Sequence, residues 1–132
     1  MKEWTFEEFR NALLYHRIIE WKDNRILLDN GLELSIEETD QDCCAGAVGS
    51  FNNVVLDAAI THVEDIKYKP WEDGDTFGCE ATVNIMHNQN LICQAMANAD
   101  AGNGGYYYSI ASFIVRTKGK VVGITKFVHS ND

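Results

Sequence analysis

Positive charge is scarce in this chain. Lysine and arginine number 11 against 20 aspartates and glutamates, which gives a formal net charge of −9 over 132 residues. Proteins that track a nucleic-acid backbone need clustered Lys and Arg to meet the phosphates, so long nucleic acids are excluded as partners. Long apolar runs are missing as well. The longest charge-free stretch, residues 81–99, is broken by Asn84, His87, Asn88, Gln89 and Asn90. A membrane helix needs about 20 mostly apolar residues, so no membrane span is expected. The opening residues, Met1 to Glu8, are acidic and lack an apolar core run. No secretion signal is expected, and the expected location is the cytoplasm. Zinc-ligand spacing is absent too: Cys43, Cys44, Cys79 and Cys93 include no C-x2-C pair, and His16, His62, His87 and His129 are scattered. Neither a metal nor a cofactor is expected. The cysteines read as free thiols, because a chain without a secretion signal meets a reducing compartment. The adjacent pair Cys43-Cys44 closes on itself only in a strained ring.

What remains is an ordinary globular balance, 45% hydrophobic and 23% charged, with neither repeat nor linker. One domain over residues 1–132 is expected. The charge is uneven: residues 1–80 carry −11 and residues 81–132 carry +2. The acidic excess suits a solvated face that keeps the chain soluble.

Local patterns point to an α+β fold. Thr5 with Glu8 three residues on has capping-box spacing, and Phe6, Phe9 and Leu13 then share one helical face. Hairpin signals follow. Asp23-Asn24 and Asp29-Asn30-Gly31 flank Arg25 to Leu28, and Leu32 to Glu37 alternates apolar with polar. Val54 to Ala59 reads as a helical turn, and the later part of residues 60–68 as an extended edge ending at Pro70. Glu80 to His87 and Leu91 to Ala97 form strands around Asn88-Gln89-Asn90. Tyr106 to Arg116 and Val121 to Val128 form strands around residues 117–120. Residues 39–53, 70–78 and 98–105 read as loops, rich in Gly, Asn and Asp. The expected architecture is a mainly antiparallel twisted sheet, or a small partly open barrel, of about six to eight strands with one N-terminal helix.

Candidate chemistry falls in those loops. Cys43 and Cys44 are nucleophile candidates, but Asp40 and Asp42 beside them raise a thiol pKa and oppose a thiolate. Asp40, Asp42, Glu72, Asp73 and Asp75 supply carboxylates with no spacing that singles out a pair. Residues 101–105 are glycine-rich yet lead toward a strand, so a hairpin turn is expected; its backbone N–H groups are able to hold an anion. Trp71, Phe77 and the run Tyr106-Tyr107-Tyr108 offer rings for stacking on a flat ligand or anchoring a partner.

Two segments resemble a family. One is the hairpin Leu27 to Leu34 followed by Asp42-Cys43-Cys44; the other is Asn103-Gly104-Gly105-Tyr106-Tyr107. Together they resemble small phage and prophage accessory proteins that carry Asp-Cys-Cys after a hairpin and a later Asn-Gly-Tyr-Tyr. Here Gly105 separates Asn-Gly from the tyrosines. The resemblance implies a counter-defence role, either sequestering a small nucleotide signal or blocking a host protein in the host cytoplasm. It marks Asp42, Cys43, Cys44, Asn103, Gly104, Tyr106 and Tyr107 as motif positions.

The leading expectation is a non-enzymatic binder of a nucleotide-like ligand. Asp42, Cys43, Cys44, Trp71, Asn103, Gly104, Tyr106 and Tyr107 would line the pocket, and Arg116 or Lys118 would meet a phosphate. The alternatives are an acidic inhibitor of a host protein, or a thiol- or carboxylate-dependent hydrolase. A homodimer is expected, since an antiparallel sheet is able to pair edge to edge.

Overall fold

In the computed structural model, which describes residues 2–132, the N-terminal helix starts where its cap is written. Thr5 Oγ1 accepts the amide of Glu8, and Glu8 Oε1 accepts the amide of Thr5, both at 3.1 Å. Helix α1 (Phe6–Leu13) buries Phe9 and Leu13 completely. Arg10 on its other flank donates through Nε to Val63 O at 2.8 Å and pairs with Asp65 and Glu7. That fastens the helix across the mouth of the core.

Ten strands follow among the described residues, in two antiparallel sheets. The first sheet orders β1 (Ile18–Lys22), β2 (Arg25–Leu28), β3 (Leu32–Gln41), β9 (Ser109–Thr117) and β10 (Lys120–His129). The second orders β4 (Ala47–Asn52), β8 (Asn90–Asn103) and β7 (Thr76–His87), with β5 (His62–Val63) and β6 (Lys67–Asp73) side by side along the outer flank of β7. The α+β antiparallel fold with one N-terminal helix therefore holds. The barrel alternative does not: neither sheet closes, and they face each other across one core.

Both inner faces bury large side chains, Phe51, Val83 and Ile85 among them in the second sheet, and the second face also carries a run of alanines that leaves room for the first. The first sheet contributes Leu28, Leu34, Ile36, Phe113 and Phe127. The second contributes Ala81, Ala95, Ala97 and Ala99, with Gly49 lying directly against Ile36. Phe113 is the centre. Its ring stacks at 4.3 Å on Phe9 from the helix and at 4.3 Å on Phe127 from β10, and it meets Phe51 of β4 at 6.5 Å.

The expected loops are largely strand. Residues 39–41 end β3, residues 47–52 form β4, most of 70–78 belongs to β6 and β7, and 98–103 end β8. Asn, Asp and Ala are poor strand formers, which hides the alternation. In β8, Ala95, Ala97, Ala99 and Ala101 nevertheless point inward in strict period two, with Met96, Asn98 and Asp100 between them less buried. Two shorter expectations also shift. Residues 54–59 form a turn and not a helical one, and Tyr106 to Tyr108 precede β9 instead of opening it.

Candidate functional site

Three connections meet at one end of the sandwich: β3 to β4, β6 to β7, and β8 to β9. The first is pinned on both sides. Asp42 donates its amide to Tyr108 O at 2.9 Å, and Ala47 donates its amide to Glu38 Oε1 at 2.9 Å. Between them Ala45 N reaches Asp42 O at 3.3 Å, closing a turn over Cys43 and Cys44. Those two cysteines are joined to each other. This overturns the expectation of free thiols at this position; in this state neither sulfur is a thiolate nucleophile. Cys79 and Cys93 remain free and fully buried. Burial pushes the Cys93 thiol up to about 12, so it is inert at neutral pH.

The β8–β9 connection folds back against that turn. Asp100 accepts the amide of Gly102 through Oδ1 at 3.1 Å, and Tyr107 N donates to Ala101 O at 2.9 Å. Ser109 Oγ lies 2.7 Å from Asp100 O and 2.9 Å from Gly46 O, so one hydroxyl ties both connections together. Gly102 sits where they touch. Its φ is +68°, and a Cβ there would lie 2.5 Å from the Tyr107 ring and 2.8 Å from Cys44 O. Only glycine fits that contact without displacement.

These contacts frame an open cleft of about 670 Å³. Cys44 forms one lip and Tyr106 and Tyr107 another; Asp100, Gly102 and Asn103 lie between them. The β6–β7 turn closes the far side with Asp75 and Thr76. Tyr106 is 87% exposed, a large ring with almost no packing of its own. The lining carries two carboxylates, Asp75 and Asp100, and no lysine, arginine or histidine. Beside the cleft Tyr108 stacks on His129 at 5.7 Å. Its phenol is pushed above the ordinary tyrosine range, first by Asp40 and further by Asp42.

Of the residues expected from sequence, Cys44, Asn103, Gly104, Tyr106 and Tyr107 line this cleft together. Asp42 and Cys43 stand just behind it and shape the turn. Trp71 lies elsewhere. Its ring covers Gly78 on the outer face of the second sheet, and its Nε1 donates to Asn98 Oδ1 at 2.6 Å. Arg116 and Lys118 sit at the opposite end of β9, roughly 25 Å away at the rise of an extended strand. Arg116 is engaged there with Glu37 at 2.7 Å and Ser35 Oγ at 3.0 Å. A phosphate grip by Arg116 or Lys118 on a ligand in the cleft is therefore corrected by the sheet topology. Sequence reading missed Asp100 and Thr76, and it took Asp75 and Gly102 only as a loop carboxylate and a turn glycine, not as lining residues. One signal was available: Asp100 is one of only two acidic residues after position 80.

Comparison with known protein families matches residues 11–114 to a domain of unknown function, DUF7448. The chain belongs to the DUF7448 family. The matched span includes both segments that converge on the cleft. It ends inside β9, before Arg116 and Lys118. No curated protein and no solved structure matches the chain.

Proposed function

We propose that this DUF7448 protein is a non-enzymatic binder of a small nucleotide-like ligand, held in the cleft by its base. One observation carries the reading. Asp42-Cys43-Cys44 and Asn103-Gly104 with Tyr106-Tyr107 lie some 60 residues apart in sequence, yet they come to one concave surface whose volume suits a small molecule. The exposed ring of Tyr106 supports stacking on a flat base. Asp75 and Asp100 suit the amino groups of a base or the hydroxyls of a ribose, as acceptors. The absence of a cation from the lining argues that any phosphate faces solvent. Sequestration of a small signal is the role that the resemblance to phage accessory proteins implies.

The reading has a sharp consequence. A nucleoside binds at least as tightly as its mono- or diphosphate, because phosphates that face solvent gain no partner from the protein. Isothermal titration with adenosine, guanosine, their phosphates and ADP-ribose checks this. Measurable binding that Tyr106→Ala weakens about tenfold is expected from the loss of one stacked ring. Absence of heat with every nucleoside and nucleotide contradicts the reading. Strongly salt-dependent capture of a host protein, without small-molecule binding, would favour the acidic-inhibitor alternative.

A further inference from the structure

A disulfide stabilises a fold mainly by restricting the unfolded chain, and the effect grows with the length of chain it closes off. The bond between Cys43 and Cys44 joins neighbours in sequence, so it closes off no intervening residue. It therefore adds little to the stability of the sandwich. Nor does its own turn depend on it. Ala45 N donates to Asp42 O at 3.3 Å, Asp42 N to Tyr108 O at 2.9 Å and Ala47 N to Glu38 Oε1 at 2.9 Å, and none of these bonds uses a cysteine.

Position gives the bond its significance. Both cysteines are exposed, so a thiolate from solvent reaches the pair, as thiol–disulfide exchange requires. Cys44 forms a lip of the cleft, and its carbonyl oxygen lies against Gly102, whose other neighbour is the Tyr107 ring. The remaining thiols are out of reach. Cys79 and Cys93 are fully buried, and burial pushes both of them up. Exchange is thus confined to the exposed pair. With the bond in place, the two side chains and the peptide between them form one closed ring, and their torsions are tied together. With it broken, each side chain regains its own rotamers and the Cys44 backbone is released with them.

We propose that Cys43–Cys44 is a reversible redox site that takes a small dithiol as its reductant, and that its state sets the lip of the cleft. A thiolate of the dithiol attacks one sulfur of the pair. The Cys43–Cys44 bond breaks, a mixed disulfide forms, and the released sulfur takes up a proton. The second thiol of the reductant gives up its proton and attacks the reductant's first sulfur, and the protein sulfur it displaces is protonated in turn. Two electrons and two protons pass to the chain, and the dithiol leaves as its own disulfide. An oxidised dithiol reverses the sequence. A monothiol is a poorer partner, because the neighbouring cysteine expels it. In the reduced chain the turn keeps its three hydrogen bonds, while the contact of Cys44 O with Gly102 relaxes. The site borders the proposed ligand cleft, and its test uses no ligand, so either reading is able to fail alone.

Protein purified without reductant is compared with the same protein reduced by dithiothreitol and desalted under nitrogen. A thiol-reactive dye is expected to find no accessible thiol in the first and two in the second, since Cys79 and Cys93 stay buried. Oxidised dithiothreitol returns the count to none. Urea midpoints of the two states agree within about 0.5 M. Backbone amide shifts differ at residues 42–46, Gly102 and Tyr107. The Cys43→Ser/Cys44→Ser variant shows no response to dithiothreitol, which assigns the change to the pair; the measurements on the parent chain stand without it. Accessible thiols in the unreduced native chain overturn the proposal, as does a count that oxidised dithiothreitol does not reverse. A large fall in the urea midpoint on reduction would make the bond a structural staple and overturn it. So would unmoved amides at Gly102 and Tyr107, or a response that persists in the double variant.

Discussion

At one end of the sandwich the hairpins reverse in turns that stand clear of their surroundings. A Cβ placed on Gly31 or on Gly119 would meet nothing within 4 Å. At the other end the β3–β4 and β8–β9 connections crowd against each other, and a Cβ on Gly102 would strike both Tyr107 and Cys44; the β6–β7 turn meets them only along its flank, where Gly104 N donates to Asp75 O, and a Cβ on its Gly74 would meet nothing within 4 Å. Glycine and left-handed backbone occur at both ends, so composition alone does not separate them. What separates them is whether the turn has tertiary neighbours. Free turns close a sheet; crowded turns build a surface.

The sharpest way to break this contrast is to add one methyl at each end. Gly102→Ala combines left-handed backbone strain with overpacking and is expected to cost about 3 kcal/mol. Gly31→Ala keeps only the backbone term, about 1 kcal/mol. Urea denaturation of both variants measures the difference, and equal losses would remove the distinction.

A smaller effect concerns Arg116, which the topology sets far from the cleft. The Arg116 guanidinium, helped by Ser35, holds the Glu37 carboxyl below its ordinary 4.5. A carboxyl depressed in the folded state stabilises the fold above its unfolded pKa, and that contribution disappears as pH falls through the folded value. The pair is partly exposed and solvent-screened, so it is worth less than about 1 kcal/mol. Stability curves between neutral pH and acid should therefore show a shallower acid loss in Arg116→Gln than in the parent. An unchanged slope would mean that Arg116 is not engaged with Glu37.

At the crowded end the matching test is spectroscopic. Asp40→Asn should bring the Tyr108 phenol back toward the ordinary tyrosine range in an ultraviolet pH titration, because Asp40 is the main cause of its elevation. The smallest stability effect is expected for Tyr106→Ala, within about 0.5 kcal/mol, as for exposed side chains that pack on little. A large loss would make Tyr106 a structural residue and weaken its assignment as a stacking ring.

The sheet was legible in the sequence wherever large apolar residues alternated, as in Leu32 to Glu37 and Glu80 to His87. It was hidden at the far end of β8, from Asn98 to Asn103, where only Ala99 and Ala101 marked the inner face, because a methyl group gives little contrast with Asn or Asp. The site was misjudged for a different reason. Tyr106 and Arg116 were read as the two ends of one strand, and at about 3.3 Å per residue that reading already set them roughly 30 Å apart, so their shared site did not follow from it. The cleft itself was half legible. Its motif segments were named, but Asp100 and Thr76 enter only through the register of β7 on β8, which pairs Thr76 with Asn103. The bond between Cys43 and Cys44 ran against the compartment argument and could be read only from coordinates.

The central claim is that the crowded end binds a small ligand and the free end does not. Titrating adenosine or guanosine into isotope-labelled protein and following backbone amide shifts by NMR tests it most directly. The account predicts shifts confined to Cys44, residues 75–76 and residues 100–107, with Lys118 and Arg116 unmoved. Shifts centred on Arg116 and Lys118, or a spectrum that no nucleoside perturbs, would contradict it.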